Sequence, residues 1–196
     1  MKHLFSLLAI LVAAVYTWAS DDIHFTHLTT KDGLSDNEIN SVSRDSRGFV
    51  WIYTAYGLCR YDGYSFKNFV KDDSHGSLPF YSVGKIQEDA SGNIWISTHS
   101  QRYAYFDTRK EAFIMAETVL AEKYGLQVNP KILFVDSKKH LWIDTGSDVM
   151  FHYDIETNKT EKIPHIYREA TVTDICEDRT GIVRVYSDGH VDHFDR

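Results

Sequence analysis

The sequence predicts an all-β fold made of β-propeller blades, and three observations lead to this prediction. The chain of 196 residues contains 12 Tyr, 11 Phe and 4 Trp but only 3 Pro, and aromatic residues favour β-strands. A similar segment recurs four times, with a period near 44 residues. Each copy divides into four short strands separated by turn residues, and a strand-rich repeat of this length is typical of propeller blades.

Residues 1–19 are expected to be a secretory signal peptide. Lys2 gives a positive start, Leu4–Val15 is almost entirely apolar, and Thr17–Ala19 offers a small-residue cleavage site. The apolar run is shorter than the ~20 residues that a transmembrane helix needs. We therefore expect an exported chain whose mature part, residues 20–196, forms the propeller.

The four copies occupy approximately residues 39–82, 83–130, 131–170 and 171–196. Their turn acids are spaced by 44, 47 and 42 residues, and a Trp follows the acid by six residues in the first three copies. The recurring residues are Asp45, Gly48, Trp51, Asp89, Gly92, Trp95, Asp136, Trp142, Asp178 and Gly181. Because these positions recur, we interpret the Trp side chains as packing between blades and the acids as turn residues that bind nearby backbone N–H groups. In the fourth copy, the residue six positions after the turn acid is Arg184 instead of Trp.

The first copy shows how the four strands, called A to D, are read. They are predicted at Ile39–Arg44, Phe49–Thr54, Gly57–Tyr61 and Ser65–Val70. Strand B has apolar residues on both faces, which fits a sheet packed between two neighbouring blades. The A–B turn ends in a glycine in three copies, so Lys139 of the third copy must adopt the same backbone conformation or the turn must change type.

The mature chain is expected to be a partial propeller. The fourth copy ends after its strand C, and the segment 23–28 looks like an outer strand that would close the ring by joining the last blade. A closed four-bladed ring is arithmetically allowed, but we expect an open arc. Cys59 and Cys176 lie in apolar strand-like runs, and we interpret both as buried free cysteines although export would permit a disulfide.

Composition and motifs argue against several functions. The net charge of −7 argues against a nucleic-acid backbone as the main partner and disfavours an anionic membrane surface. His152 and His193 share a strand C position that Arg60 and Tyr105 fill in the other copies, so we interpret it as a polar strand position. We predict no metal site, no cofactor and no catalytic residue in this chain.

The loops suggest where a ligand would bind. In an antiparallel blade the A–B and C–D turns lie at one end, and the B–C and D–A loops lie together at the other. Tyr56, His99, Arg102 and Tyr103 lie in or beside the B–C loops and are the candidate ligand-binding residues, since aromatic faces stack on sugars and Arg pairs with acidic groups. The second D–A loop is expected to hold a short helix around Thr118–Tyr124.

The repeat resembles a known family. The pattern D-x-x-G-x-[ILV]-W-[ILV]-x-T-x-x-G-L-x-[RH]-[YF]-D resembles the two-component regulator propeller repeat, and the segment "HFTHLTTKDGLSDNEINSV" resembles the start of the sensor region of hybrid two-component systems. The resemblance covers Phe25 to Asp195. It implies an N-terminal fragment of a periplasmic sensor that binds an oligosaccharide and passes the signal to a histidine kinase and on to transcription. The parent would be anchored in the inner membrane through its C-terminal parts, and a homodimer of the parent is considered.

Two other functions stay open at this point. Streptogramin lyases are propellers with a histidine in the central channel, and His99 in a B–C loop could take that part. A propeller that only binds other proteins is the third reading. A sugar-binding assay would separate the sensor from both.

Overall fold

The computed structural model describes residues 25–81, 83–167 and 169–195 as four small antiparallel sheets. Blade 1 consists of β1 Ile39–Arg44, β2 Val50–Thr54, β3 Gly57–Tyr61 and β4 Phe66–Phe69. Blade 2 consists of β5 Lys85–Glu88, β6 Ile94–Ser97, β7 Tyr103–Asp107 and β8 Ala112–Met115. Blade 3 consists of β9 Ile132–Val135, β10 Leu141–Asp144, β11 Val149–Asp154 and β12 Lys159–Pro164. Blade 4 has three strands, which are β13 Val172–Glu177, β14 Gly181–Tyr186 and β15 Val191–Asp195.

The four sheets are consecutive blades of a four-bladed β-propeller, and the strands of each blade pair in chain order. One helix, α1 Ala116–Tyr124, follows blade 2 and agrees with the helix expected in this loop. Its buried residues pack between blades 2 and 3, and Gly125 ends it in a left-handed conformation. Among the described residues, no helix has the length and apolar character to cross a membrane.

A tryptophan fills each of the three interfaces between consecutive blades. Trp51 packs with blade 2, Trp95 with blade 3 and Trp142 with blade 4, and their exposed fractions are 0%, 1% and 1%. Large aromatic side chains are suited to these interfaces because each removes a large apolar area from water. The three Trp residues therefore supply the contacts between neighbouring blades on which the stability of a repeat protein depends.

Each of these tryptophans is held by the acid of its own A–B turn. The indole Nε1 of Trp51 donates to Asp45 Oδ2 at 2.9 Å, and the corresponding bonds of Trp95 and Trp142 measure 3.1 and 2.8 Å. The other carboxylate oxygen of each acid accepts backbone N–H groups of the turn. One carboxylate thus fixes both the turn and the ring that packs against the next blade.

The turn backbone requires a left-handed residue before strand B. Gly48 and Gly92 have φ angles of 92° and 74°, and Lys139 adopts the same region at 67°. The amide of each donates to the carbonyl of the turn acid three residues earlier. Lys139 therefore accepts the conformation that glycine takes more easily, and the turn keeps its type.

Blade 4 departs from the sequence alignment. The amide of Asp178 donates to the Gly181 carbonyl, whereas the amide of Asp45 donates to Phe49, so the fourth turn is one residue shorter. Every side chain of β14 consequently points to the opposite face from the one expected. The assignment of Arg184 to the Trp position is wrong, because Val183 pairs with His193 where Trp142 pairs with His152.

Two other expectations for blade 4 change for the same reason. Gly181 does not have the positive φ of Gly48, and a Cβ atom there would lie 1.9 Å from the Phe194 carbonyl oxygen. Glycine is required at this position by the close approach of β15. Asp178 is exposed and binds the amides of Thr180 and Gly181, with no indole to hold.

The outward faces of blades 1 and 4 remain exposed. Val42, which pairs with Ile52 on the face of blade 1 turned away from blade 2, is 59% exposed, and Val191 of blade 4 is 55% exposed. This exposure agrees with the expectation of an open arc. Cys59 is buried and free, but Cys176 is free and exposed, so its expected burial is wrong. Cys176 pairs with Val183 on the uncovered face of blade 4, which explains its exposure.

The described part of the segment expected to close the ring, Phe25–Leu28, forms no strand, and Ile23 and His24 lie outside the described residues. The ring-closing prediction is therefore wrong for these residues, and Phe25 is 92% exposed. Thr29 and Asp32 instead form a capping box around a single 3-10 turn. Leu34 then packs on Ile52 and Cys59, so the chain covers part of blade 1 rather than pairing with blade 4.

Candidate functional site

The B–C and D–A loops form one rim of the propeller, and two adjoining depressions lie on it beside the inner strands of blades 2, 3 and 4. One has a volume of about 500 Å³ and the other about 170 Å³. Both are lined by Gln101, Tyr103 and Thr173, so we treat them as one feature and call it the rim cleft. Loops on a rigid scaffold are where binding residues usually lie.

The rim cleft is lined mainly by polar side chains of both charges. Its principal polar residues are Lys85, Gln101, Arg102, Glu117, Lys131 and Asp174. Amide, guanidinium, ammonium and carboxylate groups together offer both hydrogen-bond donors and acceptors. The arrangement can therefore bind a ligand rich in hydroxyl groups.

The loop that carries Gln101 and Arg102 is held in a fixed turn. The Thr98 amide donates to the Arg102 carbonyl, the Gln101 amide donates to the Thr98 carbonyl, and the Thr98 hydroxyl accepts the Arg102 amide. Gln101 has a φ of 58°, a region that costs a non-glycine residue energy unless the surrounding bonds impose it. The turn thus fixes the backbone of two adjacent polar residues that line the cleft.

Tyr103 is placed differently from the other candidates. It begins strand β7, is buried between blades 2 and 3, and donates its hydroxyl hydrogen to the Lys131 carbonyl at 3.2 Å. Burial raises the pKa of its phenol, and nearby acids reinforce this effect. Tyr103 therefore supports the wall of the cleft and holds the D–A loop of blade 2 against blade 3.

The four candidate residues do not form one site. Arg102 and Tyr103 line the rim cleft, and the Arg102 guanidinium lies 4.7 Å from the centre of the Phe80 ring. Tyr56 is 70% exposed and lines a separate depression with Phe80 and Tyr81, while His99 is exposed in its loop and lines neither depression. Reasoning from sequence missed Gln101, Lys131 and Thr173, because nothing in a strand pattern shows which loops meet.

A buried polar network lies beneath the rim between blades 3 and 4. Arg184 donates to both carboxylate oxygens of Asp192, at 2.7 and 2.6 Å, and Tyr186 donates to the same acid at 2.8 Å. The His165 Nε2 atom lies 2.7 Å from Asp144 Oδ2, and both side chains are buried. Burial raises the pKa of Tyr186, which keeps its phenol protonated as a donor.

This network has a structural explanation. Since the shorter turn points Arg184 toward blade 3, a charge lies where the other blades place Ile52, Ile96 and Ile143. A buried charge needs a partner, and the carboxylate of Asp192 supplies it. His165 also lies within 3.5 Å of the Arg184 and Tyr186 side chains, so its ring is enclosed by the network.

One group of side chains at the opposite rim has the composition of a metal site. Ligand atoms of Asp136, His140 and His152 all lie within 4.8 Å of one another. Burial lowers the pKa of His152, and the neighbouring His140 adds to this effect. Sequence reasoning examined His152 but missed His140, which is brought beside it only by the pairing of β10 with β11.

Comparison with known proteins gives one family profile and several solved structures with a similar fold. A family profile described as two component regulator propeller matches residues 77–100. The extracellular domain of a hybrid two-component system from B. thetaiotaomicron has a TM-score of 0.56 and 22% sequence identity, over 86% of this chain and 26% of that one. The chain thus spans about a quarter of the length of this solved structure.

Two further solved structures have lower scores. Another extracellular domain of a hybrid two-component system from B. thetaiotaomicron has a TM-score of 0.45 and 11% identity, over 82% of this chain and 30% of that one. Virginiamycin B lyase from Staphylococcus aureus has a TM-score of 0.46 and 14% identity, over 83% of this chain and 57% of that one. No curated protein matches the sequence.

Proposed function

Because the chain carries the two-component regulator propeller repeat, we propose that it is part of the exported, ligand-sensing region of a hybrid two-component system. The ligand is an oligosaccharide, and the rim cleft binds it. In the complete parent the binding event is passed to a histidine kinase and then to transcription. The parent is anchored in the inner membrane, and this segment lies in the periplasm.

The observation that carries the proposal is the composition of the rim cleft on a propeller of this repeat family. A sugar offers hydroxyl groups that both donate and accept hydrogen bonds, and Gln101, Arg102, Lys131 and Asp174 supply complementary groups in one depression. Phe134, which is only partly buried, provides aromatic surface in the same cleft. The larger depression, at about 500 Å³, lies within the range of small-molecule sites.

Signalling requires more than binding. An oligosaccharide shifts the parent between two arrangements only if its affinity for them differs, and equal affinity would shift nothing. The cleft is lined by residues of blades 2, 3 and 4, so a ligand held there contacts three blades at once. A change in the angle between these blades would alter its contacts, which supplies the differential affinity.

The lyase alternative placed a catalytic histidine in the central channel at His99. His99 is exposed in its loop and does not line the cleft, so it is poorly placed for that part. His165 is paired with Asp144 but lies inside the blade 3–4 network. We therefore favour binding without turnover for this segment.

Calorimetric titration of the purified chain with a panel of neutral and acidic oligosaccharides tests the proposal. We expect one saturable site for at least one member of the panel and no change in that oligosaccharide after prolonged incubation. A panel without any binding would refute the sensing role for this segment. Cleavage of the bound sugar, or of a cyclic lactone antibiotic, would show that the protein is an enzyme.

A further inference from the structure

The charge of the rim cleft differs in sign from that of the whole chain. Lys85, Arg102 and Lys131 line it, against the two acids Glu117 and Asp174. In the larger depression two cations, Arg102 and Lys131, lie with one acid, Glu117. The chain as a whole has a net charge of −7, so an excess of cations in one cleft is a local feature that points to a negatively charged ligand.

The three cations of the cleft are not used in ion pairs. Within the part of the chain that the structure describes, Lys85 and Arg102 instead lie over aromatic rings, at 5.0 Å from the centre of Phe134 and 4.7 Å from the centre of Phe80. A ring face attracts a cation but provides no oxygen to accept its N–H hydrogens. Lys131 likewise forms no ion pair with a described acid, so the N–H donors of all three side chains are available to a ligand.

Arg102 and Lys131 reach the cleft from two different loops. Arg102 precedes strand β7 in the B–C loop of blade 2, and Lys131 directly precedes strand β9 of blade 3. The backbone of Lys131 is fixed, because its amide donates to the Asp144 carbonyl at 2.7 Å and its carbonyl accepts the Tyr103 hydroxyl at 3.2 Å. Its side chain passes Gly146, where a Cβ atom would lie 2.8 Å from Lys131 Cε. One ligand group in the larger depression can therefore contact cations from both loops.

The two acids of the cleft interact with their own segments. Glu117 lies in the first turn of α1, where the helix dipole stabilises a negative charge. Asp174 Oδ1 accepts the backbone amide of Ile175 at 2.8 Å. Neither acid forms an ion pair with a described cation, so neither cancels the charge of Arg102 or Lys131 by direct contact.

We propose that the oligosaccharide of the rim cleft carries an oxyanion group, a carboxylate or a sulfate, that Arg102 and Lys131 bind together; this inference rests on the proposed function. The planar guanidinium can donate two parallel hydrogen bonds to either group, and the ammonium adds a point charge. Gln101 and Asp174 then serve the sugar hydroxyls, since an amide both donates and accepts and a carboxylate accepts.

A neutral sugar fits this lining less well than an acidic one. It would displace water from the cations without supplying a negative charge, and burial of a charge without a counter-charge costs free energy. An acidic group supplies that counter-charge in the same place. The cleft therefore selects acidic over neutral oligosaccharides.

Calorimetry with matched pairs of oligosaccharides tests the proposal. Uronic-acid oligosaccharides are each compared with their methyl ester, and sulfated oligosaccharides with their desulfated form, so that only the charge changes. We expect at least one acidic member to bind, with its neutral counterpart at least about tenfold weaker. Binding of a uronate or of a sulfated member shows which oxyanion the cleft takes. Equal affinity within every pair that binds, or tighter binding of the neutral member, would overturn the proposal and leave the sensing role intact, whereas a panel without any binding refutes the sensing role itself.

Substitutions assign the preference to the two cations. Arg102→Gln and Lys131→Gln should each weaken binding of the acidic member by about fivefold or more and should leave that of its neutral counterpart nearly unchanged. Both should also reduce the loss of affinity that added NaCl causes. Arg109→Gln is the matched control, because it removes an exposed cation from the C–D turn at the opposite end of blade 2. An effect of Arg109→Gln as large as that of Arg102→Gln, or equal losses for the acidic and neutral members, would contradict direct binding of the oxyanion.

Discussion

Replacing Asp45 by Ala should destabilise the protein far more than the same change at Asp178. Both acids begin an A–B turn, but Asp45 is buried and holds the Trp51 indole at 2.9 Å, whereas Asp178 is exposed and holds none. The comparison therefore contrasts a buried acid that holds its turn and an indole with an exposed acid that holds its turn and His193.

The magnitude follows from the bonds that each substitution removes. Asp45→Ala leaves the buried indole N–H without an acceptor, which costs about 1.5–3 kcal/mol for a bond to a charged group. The amides of Arg47 and Phe49 also lose their acceptor, at about 0.5–1 kcal/mol each. We expect a total loss of about 2.5–5 kcal/mol at Asp45. At Asp178 water replaces the lost bonds, so we expect less than about 1 kcal/mol.

Urea unfolding followed by tryptophan fluorescence and by circular dichroism measures both losses. Since small domains have only about 5–15 kcal/mol of stability, Asp45→Ala could be largely unfolded at 25 °C. Asp45→Asn retains one acceptor oxygen and should give an intermediate loss that remains measurable. Equal losses at the two acids, or a loss below about 1 kcal/mol for both Asp45 variants, would refute the structural role assigned to the carboxylate.

Three further outcomes are expected. Cys176 should react with a maleimide in the folded chain, giving one modified thiol per molecule by mass spectrometry and two only after unfolding; two in the folded state would contradict the burial of the other cysteine. Val42→Asp and Val191→Asp should each cost less than about 1 kcal/mol and should reduce self-association in analytical ultracentrifugation, whereas a sealed ring would bury the charge and lose several kcal/mol. The Asp178 carboxylate raises the pKa of His193, so this pair contributes fully below about pH 6.5, and the contribution is lost as the pH rises through the raised pKa. His193→Gln should reduce the change in unfolding free energy with pH over the range just above about pH 6.5, as measured by urea unfolding. An unchanged slope in this variant would show that another group causes the pH dependence.

Much of the fold can be predicted from the sequence because the same pattern of strands and turns recurs in four copies. The strands of blade 1 were predicted within one residue of their observed ends, since turn residues and alternation fix both limits. The burial of Trp51, Trp95 and Trp142 follows from their position on a strand with two apolar faces.

The errors arise where a single residue or a distant contact decides the outcome. The shorter turn at Asp178 reverses the faces of β14. The sequence "DRTG" is similar to the other turn sequences, so the sequence alone does not reveal that this turn is shorter. Local capping by Thr29 and Asp32 decides the course of the N-terminal segment, and this competes with pairing to a distant blade. The meeting of His140 with His152 depends on strand register.

The candidate site is less predictable than the fold. Arg102 and Tyr103 were correctly placed near the B–C loops, but the partners that complete the cleft come from two other blades. Loop conformations of this kind depend on bonds such as those around Thr98, and no periodic pattern encodes them.

Calorimetry on rim-cleft variants tests the central claim most directly. With an oligosaccharide that binds the unsubstituted chain, Gln101→Ala combined with Lys131→Ala should weaken the affinity by about tenfold or more, since each lost hydrogen bond is worth about 0.5–1.5 kcal/mol. Tyr56→Ala, in the separate depression of the same rim, should leave the affinity unchanged and serves as the matched control. Unchanged affinity in the double variant, with circular dichroism showing intact blades, would contradict the assignment of the rim cleft as the ligand site.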